Sequence, residues 1–285
     1  MMIVVTAATG ALGRLVVDGL LERVPAEQVA VAVRDAGKAA DLAARGVTVR
    51  VADYDDPATL AGAFQAGDRV LLISGNEPGR RIPQHSAVVD AAKAAGVALL
   101  AYTSVLGGPE ADFALADDHR ATERLIQESG LPYVLLRNGW YSEVYTERLA
   151  EVLERGAVVA SAGAGRIASA PRADYAAAAV AVLTGEGHEN RAYELSGDEA
   201  WSLAEYAAEV SRQSGKEVVY NAVDAETHTR IFLDAGVPGP FAEILVGVDA
   251  AIERGLLARR NGDLAKLIGR PTTPISASIA AALAS

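Results

Sequence analysis

The stretch Thr6-Ala7-Ala8-Thr9-Gly10-Ala11-Leu12-Gly13 directly follows the apolar run Met2-Ile3-Val4-Val5, and apolar residues recur at helical spacing after it. This pattern predicts a buried strand, a turn of small residues and then a helix. Backbone N–H groups at the start of such a helix point outward, and the helix dipole adds partial positive charge there. Because small side chains let a pyrophosphate approach, we predict that this turn binds the phosphates of a dinucleotide.

The turn departs from the usual glycine spacing. Gly-x-x-Gly-x-x-Gly would place glycine at positions 7, 10 and 13, and position 7 is alanine. Two outcomes follow: the first turn avoids the backbone angles that only glycine tolerates, or the surrounding structure absorbs some strain. The alternative interpretation is an ordinary strand-to-helix turn of an α/β protein.

A cation follows the second apolar run. Val29–Val33 predicts a second strand, and Arg34 ends it, about twenty residues past the glycines, where the adenosine ribose is recognised. An acid at this position would accept a hydrogen bond from the 2′-hydroxyl of NAD, whereas a guanidinium suits a 2′-phosphate. Lys38 lies one helical turn further on and is a possible second contact. The alternative is a solvated charge at the end of a strand.

Composition narrows the class of protein. The chain has 285 residues, of which 51% are hydrophobic, and its net charge is −11. Without a basic run, this charge argues against nucleic acid binding. There is no cysteine, and the histidines at 85, 119, 188 and 228 lack metal-ligand spacing, so we expect no disulfide and no metal site. No uncharged apolar stretch reaches about 18 residues and no signal peptide is evident, so we expect no membrane span and a cytoplasmic location.

The first half of the chain alternates strands and helices. Further strands are predicted at 47–51, 69–73, 97–102 and 132–137, and helices at 36–44, from Asp56-Pro57, at 84–95 and at 117–129. This alternation predicts a Rossmann-like, doubly wound parallel sheet. Helices at 141–154 and 173–184, a strand at 191–195 and a helix from Ser202 follow. We predict a dinucleotide-binding domain at 1–155 and a smaller, mostly helical lobe at 156–285.

Polar and aromatic residues follow the predicted strands. Ser74, Gly75 and Asn76 come after the fourth strand, and Thr103-Ser104 after the fifth. The sixth strand is followed by Asn138-Gly139-Trp140-Tyr141-Ser142-Glu143, in which Asn suits a carboxamide and the aromatic rings offer flat apolar faces. Ordinary turns and core-packing aromatics are the alternatives. Arg172 either binds a ribose or phosphate or pairs with Asp174.

These segments resemble a known family. The turn at 7–13, Arg34, Gln84-His85, 101–104, 136–143, 167–179 and 193–195 resemble the NmrA-like, atypical short-chain dehydrogenase/reductases, and within them the bacterial type-2 NAD(P)H:quinone oxidoreductases. The resemblance implies a Rossmann core, NADPH binding and quinone reduction. The cofactor-binding residues are then Ala7, Ala8, Thr9, Gly10, Ala11, Leu12, Gly13, Arg34, Ser74, Gly75, Asn76, Asn138, Gly139, Trp140, Tyr141, Ser142, Glu143 and Arg172.

The catalytic pair of standard short-chain reductases is absent. Those enzymes use Tyr-x-x-x-Lys, and here the corresponding stretch reads His119-Arg120-Ala121-Thr122-Glu123. A quinone needs no strong proton donor, because its reduced oxygens are far less basic than an alkoxide. We therefore predict direct hydride transfer to a small quinone, with Asn138, Trp140 and Tyr141 lining the site. His119, whose ordinary pKa is near 6.5, is a candidate proton donor. Alternatively, the protein is a non-enzymatic NADP(H)-binding redox sensor that binds a protein partner.

Overall fold

The computed structural model describes residues 1–75, 77 and 79–284. Its strands, in chain order, are β1 Ile3–Thr6, β2 Val29–Val33, β3 Thr48–Val51, β4 Arg69–Leu72, β5 Leu99–Val105, β6 Tyr133–Asn138, β7 Ala157–Ala160, β8 Arg166–Ile167, β9 Arg191–Leu195, β10 Trp201–Ser202 and β11 Val219–Ala222. Seven of them form one sheet in the order β3-β2-β1-β4-β5-β6-β9.

Every neighbouring pair in this sheet is parallel. The order of the strands reverses between β1 and β4, because β2 and β3 extend the sheet on one side and the later strands on the other. A crevice at the carboxyl ends of the strands is expected at this reversal. The predicted doubly wound parallel sheet is confirmed.

Helices surround the sheet. They are α1 Ala11–Leu21, α2 Ala40–Ala44, α3 Pro57–Leu60, α4 Arg81–Ala95, α5 Ala114–Glu128, α6 Glu143–Thr146, α7 Leu149–Arg155, α8 Arg172–Thr184, α9 Leu203–Ser214, α10 Ala225–Asp234, α11 Gly239–Glu253, α12 Asp263–Ile268 and α13 Ile275–Ala284. Short 3₁₀ helices lie at Ala26–Gln28, Ala36–Ala39 and Gly108–Glu110.

The central strand β1 is apolar on both of its faces because helices cover both faces of the sheet. Val5 of β1 packs in a cluster with residues of α1, α8 and α12, whereas Val4, one residue earlier, packs in a second cluster with residues of α3, α4 and α5. All four residues of β1 are buried. The continuous apolar run at the start of the chain is therefore that of a two-sided central strand.

Most predicted helix ends are confirmed, and one predicted helix is wrong. Gly46, Gly96 and Gly130 all have the expected left-handed geometry, with φ of +87°, +70° and +77°. The helix predicted at 141–154 is instead the two short helices α6 and α7. The chain at Tyr141 is held by a parallel bridge to Ala170, so it cannot be helical there.

The region after residue 155 is largely helical, but part of it returns to the central sheet. Helix α8 packs on α1, and β9 pairs with β6. Helix α12 packs on α8, whereas β10, α9, α11 and α13 contribute to a third apolar cluster that includes Trp201, Tyr206 and Ile252. Among the described residues, no helix has both the length and the apolar character needed to cross a membrane. The domain division at residue 155 stays a prediction.

Candidate active site

The first helix begins without a side-chain cap. β1 ends at Thr6, and Gly10 lies in extended geometry just before α1. Gly10 N–H donates to the carbonyl oxygen of Ala7 at 3.0 Å, and the next backbone bond in the turn is from Arg14 N–H to the carbonyl oxygen of Gly10. No described side chain caps the helix, and its first turn has no acidic residue. The N–H groups of residues 11–13 are therefore available to an anion.

Ala7 adopts the left-handed geometry that the standard motif reserves for glycine. Its φ is +48°. The second of the two expected outcomes is therefore confirmed: the turn keeps the left-handed bend, at a cost of about 1 kcal/mol for an L-residue. Gly13 is required for a different reason, because a Cβ there would lie 2.5 Å from the carbonyl oxygen of Ala7.

Arg34 lies at the same edge of the sheet as the turn, because β1 and β2 are parallel neighbours with Thr6 opposite Ala32. The Arg34 side chain is 65% exposed, and its nearest carboxylate is that of Glu77, with 3.8 Å between Nη1 and Oε1. Its guanidinium is therefore accessible to an added phosphate. Lys38 is exposed in the 3₁₀ helix that follows.

A cavity of about 240 Å³ lies at the carboxyl ends of β4, β5 and β6. Polar groups come from the sheet and from the helices that follow its strands: Ser74, Arg81, Thr103, His119 and Asn138. Apolar side chains close the other sides: Phe113, Leu115, Trp140, Tyr141, Val144, Leu256 and Leu257. The structure therefore brings the four predicted catalytic residues together in one cavity.

Asn138, the last residue of β6, has a buried polar atom without a partner among the described residues. Its side chain is buried, with 5% exposure, and Nδ2 donates to the Tyr141 hydroxyl at 3.3 Å. Oδ1 has no hydrogen-bond partner among the described residues. Leaving a buried acceptor unpaired costs about 1–3 kcal/mol, so a ligand amide or hydroxyl that bonds here is favoured.

The aromatic residues after Asn138 form a fixed wall. Tyr141 packs edge to face against Tyr175, with 5.2 Å between ring centroids, and the Arg172 guanidinium lies 5.2 Å from the Tyr141 ring centroid. Burial raises the pKa of Tyr141, so its hydroxyl stays protonated and neutral. Gly139 permits a close approach, but to protein rather than to ligand: a Cβ there would lie 2.9 Å from the carbonyl oxygen of Leu195.

Ser142 and Glu143 are engaged within the protein. The Ser142 side chain is fully buried, and its hydroxyl lies 3.0 Å from that of Ser169. The Glu143 carboxylate accepts from the Arg172 backbone N–H at 2.9 and 3.1 Å, which caps α8. Their contacts with a cofactor stay a prediction.

Arg172 does not pair with Asp174, and that alternative is wrong. Its Nη1 donates to Glu147 Oε1 at 2.5 Å. Asp174 is fully buried and instead binds Arg270, with 2.6 Å between Nη2 and Oδ1. The Arg172 side chain remains beside the cavity wall because it lies over Tyr141.

The segment after β4 is held by side chains of two other elements. Ser74 N–H donates to Thr103 Oγ1 at 2.9 Å, and Gly75 N–H donates to His85 Nε2 at 3.0 Å. Since Nε2 accepts, the proton of neutral His85 is on Nδ1, which lies 2.8 Å from Thr122 Oγ1. Asn76, also predicted to contact the cofactor, lies outside the described residues.

Thr103 and Ser104 were expected after the fifth strand, but they lie within β5. Their hydroxyls are already bonded: Thr103 Oγ1 to the backbone of Ser74, and Ser104 Oγ to Glu123 Oε1 at 2.6 Å. Both hydroxyls therefore hold the sheet edge together.

His119 lines the cavity as a neutral imidazole. Its Nδ1 lies 2.8 Å from the Tyr102 hydroxyl. Burial, followed by the positive charge of Arg81, lowers the pKa of His119 to about 3. The ordinary pKa on which its role as proton donor was based does not apply, so at neutral pH His119 can donate a hydrogen bond but is a weak acid.

Arg81 is the charged cavity residue that sequence reasoning missed, along with the apolar residues Phe113, Leu115, Val144, Leu256 and Leu257. It is the first residue of α4, which begins three residues before the predicted start. In sequence it is one of two adjacent arginines after a Gly-Asn-Glu-Pro-Gly segment and looks like a surface charge. No local signal in the sequence distinguishes it from Arg80, because its place at the sheet edge depends on the bond from its Nε to the carbonyl oxygen of Gly75.

Comparison with known proteins agrees with this geometry. A family model described as NAD(P)H-binding matches residues 7–186. The chain is also 47% identical to quinone oxidoreductase 2 of Escherichia coli, over 98% of this chain and 97% of that protein. This chain belongs to the NAD(P)H-binding, NmrA-like family. The resemblance found in the sequence is therefore confirmed.

Solved structures show the same fold over the whole chain. An NADPH-dependent quinone oxidoreductase of Escherichia coli, complexed with NADPH, is 46% identical and superposes with a TM-score of 0.96, covering 99% of this chain and all of that one. A Citrobacter sp. triphenylmethane reductase complexed with NADP(H) is 42% identical, with a TM-score of 0.94 and coverage of 98% and 99%. Family members of this fold thus reduce chemically different acceptors.

Replacing Ala7 by glycine is expected to stabilise the protein. Glycine tolerates the left-handed bend, so the free energy of unfolding should rise by about 0.4–1 kcal/mol in Ala7→Gly, measured by urea denaturation. The matched control is Ala8→Gly, which lies outside the set of positive-φ residues and should lose stability. Equal destabilisation of both variants would contradict the strain assigned to Ala7.

The buried histidines should make stability depend on pH. Burial lowers the pKa of His85 to about 4 and that of His119 to about 3, from 6.5 when exposed. Below pH 6.5 the unfolded chain therefore binds more protons than the folded one, and stability is lost as pH falls. The free energy of unfolding should drop by up to about 1.4 kcal/mol per pH unit for each histidine between about pH 6 and pH 4.

Ring ¹⁵N chemical shifts provide the direct measurement, with both rings expected to stay neutral near pH 5. In His119→Gln one of the two contributions is missing, so the slope of unfolding free energy against pH should be smaller. A titration midpoint near 6.5 for both rings would show that they are hydrated in solution.

Proposed function

We propose that this protein is an NADPH-dependent quinone oxidoreductase that transfers hydride directly from NADPH to a small quinone. The observation that carries the proposal is the cavity at the carboxyl ends of β4, β5 and β6, which is lined by Asn138, with its unpaired Oδ1, and by Trp140 and Tyr141. The uncapped N-terminus of α1 lies at the same edge of the sheet. The 47% identity with an Escherichia coli quinone oxidoreductase supports this acceptor.

The proposed cofactor contacts extend along the carboxyl edge of the sheet. The free N–H groups at the start of α1 would bind the pyrophosphate, and Arg34 the 2′-phosphate of the adenosine ribose. Ser74 and Gly75 would pass over the nicotinamide ribose. The unpaired atom of Asn138 suits the nicotinamide carboxamide, and residues 139–143 with Arg172 would enclose that ring.

The bound NADPH supplies hydride from its nicotinamide ring. Trp140 and Tyr141 would hold the quinone against that ring and keep water from the transfer path, which raises the rate by proximity and orientation. Two electrons and one hydrogen reach the quinone, which becomes a hydroquinone anion. Water then supplies the second proton, because neutral His119 donates a hydrogen bond rather than a proton.

The position equivalent to the reductase lysine supports a quinone over a ketone. Glu123 lies there, buried, and its carboxylate accepts from Ser104 and from Arg137, with 2.9 Å between Arg137 Nε and Oε1. It therefore cannot provide the positive charge that lowers the pKa of a catalytic tyrosine. An acceptor whose reduced form is weakly basic needs no such group.

Turnover of benzoquinone tests the proposed function. When purified protein is mixed with NADPH and benzoquinone, the absorbance of the reduced nicotinamide should decrease. The rate of this decrease should saturate with quinone concentration and exceed the uncatalysed rate. Asn138→Ala should reduce this rate while the protein stays folded. Tight NADPH binding with no turnover would instead favour the redox-sensor alternative.

Arg34 should determine the preference for NADPH over NADH. In Arg34→Asp the ratio of kcat/KM for the two cofactors should fall by about tenfold to a hundredfold, because a charge-assisted bond to phosphate is lost and an acceptor for the ribose hydroxyl is gained. Arg23→Asp, an exposed arginine after the end of α1, is the matched control. An unchanged ratio in Arg34→Asp would refute this role.

A further inference from the structure

Arg81 brings a positive charge into the cavity and keeps part of its guanidinium free. Its Nε donates to the carbonyl oxygen of Gly75 at 2.6 Å, which anchors the side chain at the sheet edge. Among the residues that the structure describes, neither Nη group has a hydrogen-bond partner, and no carboxylate lies within ion-pair distance of Arg81. The two Nη groups are therefore available to a ligand.

The other arginines near the site are compensated. Arg80, the preceding residue, pairs with Asp55 at 2.9 Å and with Glu77 at 3.1 Å. Arg172 pairs with Glu147, and Arg137 is held between two glutamates. Arg81 thus differs from its neighbours both in its place in the cavity wall and in its lack of a carboxylate partner.

The positive charge of Arg81 acts on titratable groups in and beside the cavity. It contributes, after burial, to lowering the pKa of both His85 and His119. A field that disfavours a second cation there favours an anion at the same place. Because the same cavity is also lined by the neutral imidazole of His119 and by Thr103, an oxygen anion in it would find both charge and hydrogen-bond donors.

We propose that Arg81 is a catalytic residue that binds the oxygen carrying negative charge in the hydroquinone anion. This inference rests on the proposed function. When hydride adds to the quinone, two electrons and one hydrogen enter it and one oxygen becomes an anion, and a proton from water later completes the hydroquinone. A guanidinium already in place stabilises that charge as it develops, without reorganisation of the site.

Kinetics of Arg81→Gln test the assignment, with Arg80→Gln as the matched control. Removal of a preorganised donor to a developing oxyanion lowers kcat by about a hundredfold in enclosed sites; in this half-open cavity we expect a fall in kcat/KM for benzoquinone of about tenfold to a hundredfold. Arg80→Gln removes a charge from the adjacent residue and should leave the rate within about twofold. Arg81→Lys should recover part of the lost kcat/KM, because lysine keeps the positive charge but lacks the bidentate donors of a guanidinium.

A measurement without turnover separates this role from a structural one. A phenol mimics the product, so 4-nitrophenol is titrated by absorbance in the presence of saturating protein and NADP⁺. The wild type and Arg80→Gln should lower its apparent pKa by about one unit, which is a tenfold preference for the phenolate. Arg81→Gln should return the pKa to the value of free 4-nitrophenol, with the affinity for NADPH, measured by nicotinamide fluorescence, within about twofold of wild type.

Two results would overturn the assignment. A tenfold loss of NADPH affinity in Arg81→Gln with an unchanged kcat would make Arg81 a phosphate contact. An unchanged phenol pKa in the wild type would show that the cavity does not favour an oxygen anion. If the wild type lowers the phenol pKa through Arg81 but does not reduce benzoquinone, the proposed function fails while the anion-binding role of Arg81 is supported.

Discussion

The close contact between the first helix and the end of the first strand is the constraint on which the proposed site depends. Gly13 lies against the backbone of Ala7 and Ala8, at a distance that leaves no room for a Cβ. Helix α1 therefore starts immediately above the sheet, and its unpaired N–H groups emerge at the carboxyl edge beside β2 and β4. Ala7 accepts an unfavourable φ so that the chain can turn within these few residues.

Elsewhere along the carboxyl edge of the sheet, buried polar side chains fix the loops and strand ends by hydrogen bonds. The hydroxyl of Thr103 and the imidazole of His85 accept backbone N–H groups of Ser74 and Gly75, which fixes the loop after β4. Glu123 plays the same part between β5 and β6 through Ser104 and Arg137. Residues whose side chains look reactive in sequence are thus used to hold strand ends in register, and few titratable groups remain for proton transfer.

Local patterns predicted the sheet well because its central strands are continuous apolar runs and because three of the intervening helical segments end near a glycine, at Gly46, Gly96 and Gly130. They also located Asn138 and the aromatic pair, since any residue that ends a parallel strand reaches the ligand edge. They failed where the outcome depends on distant partners. The helix predicted at 141–154 does not begin at Tyr141 because that residue forms a bridge to Ala170. The neutral state of His119 comes from burial by elements far away in sequence.

The same limit explains Arg81 and Gly139. Nothing in the local sequence distinguishes the paired Arg80 from the unpaired Arg81, because their partners lie on other elements. Gly139 was correctly placed beside the site, but its small size accommodates the carbonyl oxygen of Leu195 on β9, a strand more than fifty residues later. The sequence identified the position, but the neighbour from β9 depends on long-range pairing; the contact with the cofactor stays a prediction.

The hydrogen bonds that fix the segment 139–143 after β6 affect the affinity of the proposed site for its ligands. Gly139 N–H bonds to Leu195 on one side, and Glu143 caps α8 on the other, so the aromatic wall between them is tied at both ends before any ligand arrives. A loop already immobilised loses little conformational entropy on association. Contacts with the nicotinamide and its acceptor then contribute to binding and alignment rather than to ordering the loop. A preorganised wall of this kind can bind acceptors of different shape without refolding.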